Sequence, residues 1–457
     1  MKTKYLLLIY ALIFTGNLIF NLFNNSIESS YSPYFIYKLC SFIFVSSFYY
    51  LLSKVINEVL NLNSLSLSIS LFLISYFLFD HLMVFTGGYF SFNVTVLVVS
   101  LVWVLIVCRN KNKNSLIYLF LSYVIMRIFN NRFIDEIANM ERYVELNTDV
   151  IVQWLPSVEA LYSKGYYFLY SNNIIEGQGL LATHIQALLL NLNFGTSSFQ
   201  FIQVNSFLVL FFTILIFIDL KISKSHKILV CIIFLSLVLN NSWLLYLIGN
   251  SLMLEGIVGF LFSTFLVNIN SFLKPKKYSN VFFISFGALI LTKQFISITV
   301  LIIATFSLFR LNKKILLIFI PLVLDLLNKY FLKVNSSFIP YSDGIDYFQI
   351  VKNILFLENI DLKNVGKIVD NFTIDIPFTL ILIFYLISNL SVLFKTKKIN
   401  FENYIFFYSG ILNFVLIVVL YISYWQNIEV ESSYRYLVNF LSIYLISIVL
   451  NVQKLDS

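Results

Sequence analysis

Apolar residues in this chain come in long unbroken runs, and polar residues are confined mostly to short breaks between them. They neither alternate, as in a half-buried strand, nor keep to one helical face. The runs therefore read as helices that are apolar on all sides. A helix rises about 1.5 Å per residue, so roughly 20 residues cross the hydrocarbon core of a bilayer. On that measure the pattern predicts about fourteen spans: 5–22, 35–53, 65–86, 92–108, 115–130, 202–220, 228–248, 252–272, 280–292, 294–309, 315–332, 376–394, 403–424 and 435–452. The first has the form of a signal peptide, with Lys2 and Lys4 ahead of an apolar run. It lacks a small-residue cleavage site and is read as an anchor.

Two stretches do not fit a simple crossing. Residues 280–309 are too long for one comfortable span and carry Lys293 at the middle, which suits two short helices meeting near the outer face. Residues 179–193 could span, but a crossing there would move three lysine clusters to the outside, so a juxtamembrane or partly inserted helix is expected. The predicted class is all-α and polytopic. It divides into an N-terminal transmembrane module (1–114), a core (115–332) with a first external loop at 131–201, a second external loop (333–375) and C-terminal helices (376–457).

Composition fixes the solvent. The 457 residues are 59% hydrophobic and only 12% charged, more apolar surface than a soluble domain of this size can hide. Cys40, Cys108 and Cys231 lie far apart in apolar stretches and form neither a disulfide framework nor a metal pattern. The three histidines are isolated as well, and a requirement for a divalent metal ion is left open. The lysines are scattered between spans rather than gathered in one strip, which argues against nucleic acid and leaves the lipid bilayer as the evident partner.

Charge then sets the orientation. With the N-terminus inside, the inner loops collect most of the 31 basic residues, in clusters at Lys2–Lys4, Lys54, 109–113, 221–227, 274–277, 310–314, 395–398 and Lys454. Both termini are expected in the cytoplasm of a cell with an inner (plasma) membrane. Topology alone explains the net charge of +8. The long polar segments 131–179 and 333–375 both fall outside, where long loops carry function or form lids.

The first outer loop holds the densest chemistry. It begins after a span with Asp135-Glu136, reaches Asn147-Thr148-Asp149, and continues through Gln153-Trp154, Pro156, Glu159-Ala160, Lys164-Gly165 and Gly177-Gln178-Gly179. An amphipathic run then returns through His184 and Gln186. This loop resembles the first periplasmic loop of the glycosyltransferase-C (GT-C) superfamily, polytopic enzymes that transfer sugars from polyprenyl-phosphate donors. Asp149, Trp154, Pro156, Ala160 and Gly165 stand where that family has an acid, an aromatic, a small or proline residue, an alanine and a glycine. The resemblance implies that Asp149 activates the acceptor. Asp135-Glu136 also looks like the family's Asp-Glu pair, so the assignment between the two acids stays open. Gly249–Glu255, Leu289–Gln294 and Glu431–Tyr436 are similar to further family segments: one entering a helix with an acid near the outer surface, one with a lysine between short helices, one with an Arg-Tyr before the last helix. The four spans ahead of the helix leading into the loop depart from many members.

The residues support the same chemistry without the family. A carboxylate at the water–lipid boundary can take the proton of an attacking hydroxyl, and Lys293 and Arg435 are outer-facing cations suited to a leaving phosphate. Arg435 is the better bidentate phosphate partner. Each residue also has a plainer reading. Asp149 fits a solvated loop, and Asp135-Glu136 a helix start. Lys293 fits a snorkelling side chain, and Arg435 beside Tyr434 and Tyr436 an interfacial anchor. Glu255 fits a boundary residue and His184 a surface-facing helix position. Asp80-His81 reads as a boundary feature at the end of its span, and Asp325 as the ion-pair partner of Lys329 one turn on.

The function expected is transfer of a sugar from a polyprenyl-phosphate donor to a glycan, lipid or protein acceptor on the outer face of the membrane. An O-antigen-type polymerase or ligase is the second enzyme reading, weakened by the absence of arginine from 333–375. A polysaccharide flippase or transporter is the third, weakened by the lack of an inverted repeat and by few charges within spans.

Overall fold

The computed structural model describes residues 32–86, 90–109, 113–132, 155–171, 180–196, 202–240, 255–273, 277–292, 294–308, 313–332, 352–353, 355–356, 363–374, 376–396, 401–423 and 440–456. Every regular element among them is helical. In chain order they are α1 (Ser32–Leu60), α2 (Leu65–Met83, extended by a 3₁₀ turn Val84–Thr86), α3 (Phe92–Arg109), α4 (Lys113–Arg132), α5 (Leu155–Lys164), α6 (Tyr166–Ser171), α7 (Leu180–Phe194), α8 (Ile202–Asp219), α9 (Lys224–Asn240), α10 (Glu255–Leu273), α11 (Ser279–Gly287, then a 3₁₀ turn Ala288–Leu291), α12 (Gln294–Leu308), a 3₁₀ stretch Lys313–Phe319 leading into α13 (Ile320–Leu332), α14 (Lys363–Ile374), α15 (Ile376–Thr396), α16 (Phe401–Ser423) and α17 (Leu441–Asp456).

Six of these segments are long and apolar enough to cross a membrane: Cys40–Leu60, Leu65–Thr86, Phe92–Arg109, Gly256–Leu273, Lys313–Leu332 and Ile405–Ser423. The expected span at 5–22 lies outside the described residues, and several other expected spans fall on shorter helices, so the six are what length and apolarity carry. The spans differ in where they sit. Leu65–Thr86 and Gly256–Leu273 are 72% and 78% buried within the protein, whereas Phe92–Arg109 and Lys313–Leu332 are 22% and 28% buried. The first two form the centre of the bundle and the other two present apolar flanks to the surroundings. Helix α2 shows why: it is apolar all round, and Ser66, Ser68 and Ser70 are buried small residues at which neighbours pack closely.

Buried hydrogen bonds sort the helix ends into two sets. At one end the Asp219 carboxylate, closing α8, accepts from the Leu65 and Ser66 amides and from the Ser64 and Ser66 hydroxyls at the start of α2. At the other end of α2, Asp80 meets Thr95 in the first turn of α3. The loops at 61–64 and 220–223 therefore share one end of the bundle, and the start of α3 lies at the opposite end.

The stretch 280–309 is broken as its length and Lys293 suggest. α11 tightens into a 3₁₀ turn, Thr292 ends it, and α12 starts at Gln294. Gly287 is needed here because a Cβ would stand 2.2 Å from the Ile318 carbonyl oxygen, so the two backbones meet with no room for a side chain.

Helix α7 lies where a juxtamembrane or partly inserted helix is expected over 179–193, and Leu181–Leu190 and Leu192–Phe194 in it are all buried in protein. Asn191 donates to Asn93 at 2.8 Å, and the His184 ring stands 5.4 Å from Phe92, so both ends of α7 reach the first turn of α3. The helix stops because Gly195 adopts φ +71, a left-handed conformation that closes a helix cheaply only for glycine. Arg127 of α4 donates to the Asn191 and Leu192 carbonyls, and the Asn191 carbonyl also accepts from the Gly195 amide.

Candidate functional site

The end of the bundle marked by Asp80 holds a buried cluster of ionisable groups. Asp80 and His81 close the last full turns of α2 and are 4% and 0% exposed. Asp80 Oδ2 lies 2.7 Å from His184 Nε2, and its other oxygen accepts from the Thr95 hydroxyl. A carboxylate fixed on both oxygens thus orients an imidazole whose second nitrogen, Nδ1, is buried without a partner, as is the neighbouring Thr183 hydroxyl. The rings of Phe77, Phe92 and Tyr166 stand 5.8, 5.4 and 5.8 Å from His184, each edge-on, and shut out water.

Residues 155–171 supply the adjoining wall. α5 and α6 meet at Gly165, whose φ of +84 turns the chain sharply; a Cβ there would press on the Phe90 carbonyl oxygen at 3.3 Å. That turn sends Tyr166 and Tyr170, one helical turn apart, into the cluster. Tyr166 Oη lies 3.1 Å from His81 Nδ1, and Tyr170 donates to Asp325 Oδ1 at 2.8 Å and to the Asp325 carbonyl at 3.0 Å. Burial first, then Tyr170, Asp325 and Asp80, raises the Tyr166 phenol above its ordinary pKa; burial and then Asp325 do the same for Tyr170. Both phenols therefore keep their protons, and Tyr170 acts as a donor to Asp325.

Helix α13 closes the third side. Asp325 is buried and pairs with Lys329 Nζ at 2.8 Å, the one-turn pairing its spacing suggested. Asn328 donates to the His81 carbonyl at 2.9 Å, filling an acceptor in the last turn of α2. The opposite face of α13, with Val323, Leu326, Leu327, Tyr330 and Phe331, is exposed and apolar. The helix carries lipid-facing and charge-bearing sides because its polar residues recur every three to four positions.

Two expectations are overturned by this geometry. His184 is fully buried rather than facing a surface, because α7 is enclosed by α2, α3 and the outer-loop helices. Asp80-His81 is the hub of a buried network rather than a boundary feature, since a polar side chain inside the protein requires partners such as those Asp80 finds in His184 and Thr95. Asp135, Glu136, Asp149, Trp154, Lys293, Tyr434 and Arg435 lie outside the described residues. Glu255 is the first residue of α10, a position where an acid is favoured by the helix dipole. Thr95, Tyr166, Tyr170, Asn328 and Arg127 went unnoticed in the sequence. Their signal is weak, but Asp80, His81, Asp325 and Lys329 inside apolar runs are a strong one.

Among the described residues no group of three or more His, Cys, Asp or Glu could hold a metal ion. What the cluster can do is hold and exchange protons, through an imidazole backed by a carboxylate, and present fixed charge beneath the outer loop. The helices and their composition define an all-α, multi-pass membrane protein. No family model, curated protein or solved structure matches the chain.

Proposed function

We propose that the protein is a glycosyltransferase of the membrane's outer face, moving a sugar from a polyprenyl-phosphate donor to a glycan, lipid or protein acceptor. The observation that carries this reading is the position of the Asp80–His184 pair: it lies directly under the tyrosines that α6 contributes from the first outer loop. Residues 155–171, which hold Pro156, Ala160 and Gly165 of the GT-C-like pattern, thus pack on the buried acid–base cluster. In this reading Asp149, or Asp135-Glu136, takes the proton of the acceptor hydroxyl as it attacks the anomeric carbon. Arg435 and Lys293 hold the donor phosphate and stabilise the charge it gains on leaving. Glu255, Trp154 and Tyr434 are further site candidates in this reading, and the buried cluster supports helices α5 and α6. Both termini are cytoplasmic, and the membrane is the plasma (inner) membrane.

The test is transfer itself. Purified protein in liposomes, supplied with polyprenyl-phosphate-linked radiolabelled sugars and a cell-envelope acceptor fraction, should move label into product, and Asp149→Asn protein should not. Label that stays on the donor with every sugar and acceptor tried would remove the reading. A second reading gains from the same geometry. Ionisable residues buried between α2, α7 and α13 suit a proton-coupled flippase or transporter, and that protein would move labelled lipid-linked oligosaccharide across liposomes without forming a new glycosidic bond.

A further inference from the structure

The second outer segment carries a surface that neither reading uses. Asn353 is buried and its side-chain amide donates to the Ser423 carbonyl at 2.9 Å; Asn364, also buried, donates to the Tyr421 carbonyl at 3.0 Å. Both acceptors are in the last turn of α16, where carbonyls have no partner within the helix. Two points of segment 352–368 are therefore fastened to the end of a membrane-spanning helix (Ile405–Ser423). Ile368 is buried against the bundle, so the first turns of α14 lie along it.

Leu355 and Phe356 follow within three residues of Asn353, and they are 70% and 67% exposed. Each residue carries the chain at most about 3.6 Å, so this pair stays within roughly 11 Å of the residue that caps α16. The headgroup layer on each side of a bilayer is itself several ångströms thick, and a span's last carbonyls lie where hydrocarbon gives way to it. A leucine and a phenylalanine held side by side at that level would expose a large apolar area to water. In the interfacial layer the same side chains are at home. Gly366 and Lys367 are exposed on α14 where Asn364 and Ile368 are buried, and would then stand toward water and lipid phosphates.

We infer that the second outer segment is a membrane-surface anchor rather than a lid in solution: Leu355 and Phe356 insert into the outer interfacial layer of the bilayer, with Lys367 at headgroup level above them. The occupant of the exposed patch is lipid. The clamp of Asn353 and Asn364 on α16 sets the insertion depth, so the anchor would hold the outer loops close to the plane in which any lipid-borne substrate arrives.

The inference is independent of sugar transfer and is tested by depth. Cys40, Cys108 and Cys231 are replaced by serine, single cysteines are placed as Phe356→Cys and Lys367→Cys, and each is spin-labelled in liposomes of mixed phosphatidylethanolamine and phosphatidylglycerol. The label at 356 should be at least several-fold more accessible to oxygen than to a water-soluble nickel chelate, and the label at 367 should show the reverse order. Equal chelate access at both positions would overturn the anchor, because the patch would then be in water. Low access to both reagents at 356 would overturn it too, because protein rather than lipid would cover the patch. If the serine-substituted chain does not fold, Phe356→Trp in the native-cysteine chain gives the same reading through quenching by lipids with a nitroxide high on the acyl chain. Fluorescence lost beyond that of the unaltered protein supports insertion, and an unchanged fractional loss overturns it.

Discussion

Asp219 and Ser66 are joined twice: one carboxylate oxygen accepts from the Ser66 amide at 2.7 Å and from its hydroxyl at 2.6 Å. With Ser64 and the Leu65 amide on the same carboxylate, the first turn of α2 is capped by a residue that ends α8. A negative charge there also complements the helix dipole. Asp219→Ala should lower the unfolding free energy in detergent by about 1–3 kcal/mol, through lost caps and orphaned amides. Asp219→Asn, which keeps one acceptor, should cost less. Equal melting temperatures for the native and alanine proteins would show that the cap contributes nothing.

The Asp80–His184 pair should behave as a coupled unit. Removing one partner leaves a buried polar group alone, so Asp80→Ala and His184→Ala should each destabilise the fold by about 3–5 kcal/mol. The double variant should be less damaged than the two losses added together. A thermal or denaturant cycle over the four proteins measures the difference. Strict additivity would mean that the 2.7 Å contact carries no coupling.

Two glycines should respond in opposite ways. At Gly287 a Cβ would meet backbone at 2.2 Å, while at Gly366 nothing lies within 4 Å. Gly287→Ala should therefore push α11 away from the 313–319 stretch and reduce the yield of folded protein sharply. Gly366→Ala should leave folding within about 1 kcal/mol of the native chain or improve it slightly, since alanine is the better helix former. Comparing gel-filtration profiles of the two variants in detergent decides the point.

The proposed chemistry makes a graded forecast. Asp149→Asn should abolish transfer with expression intact, and Asp135→Asn should be milder; the reverse order moves the proton acceptor to the earlier acid. Arg435→Lys keeps charge but loses the planar fork, so turnover should fall partially, whereas Arg435→Ala should reduce it severely. Unchanged donor affinity and turnover in Arg435→Ala would place the phosphate elsewhere.

Orientation has its own check. Cysteines at Lys164 and Lys224 should be labelled from outside and from inside respectively by a membrane-impermeant maleimide, because the outer-loop helix α5 ends at Lys164 and Lys224 starts α9 at the Asp219 end of the bundle. Labelling of residue 224 from outside, with residue 164 protected, would invert the topology.

The helical class and the break near Lys293 were legible because both depend on local pattern: run length, and a charge where a run becomes too long. The Asp325–Lys329 pair was legible for the same reason, being one turn apart. The cluster itself was not. Asp80, Thr95 and His184 come from three helices, and His184 is 104 residues from Asp80. Periodicity says which face of a helix is polar but not which other helix answers it. The burial of His184 was not legible either, because an apolar helix with one histidine looks the same whether lipid or protein surrounds it.

The burial of α7 bears on how the protein is made. Its neighbours lie on both sides of it in the chain: α2, α3 and α4 are synthesised earlier, while α8, whose Asn205 receives the Asn193 amide, emerges later. Until α8 is in place the Asn193 amide lacks its Asn205 acceptor, whereas His184 and the last-turn carbonyls already have Asp80 and Arg127. Docking of α7 therefore starts on helices already made, and α8 completes its enclosure afterwards.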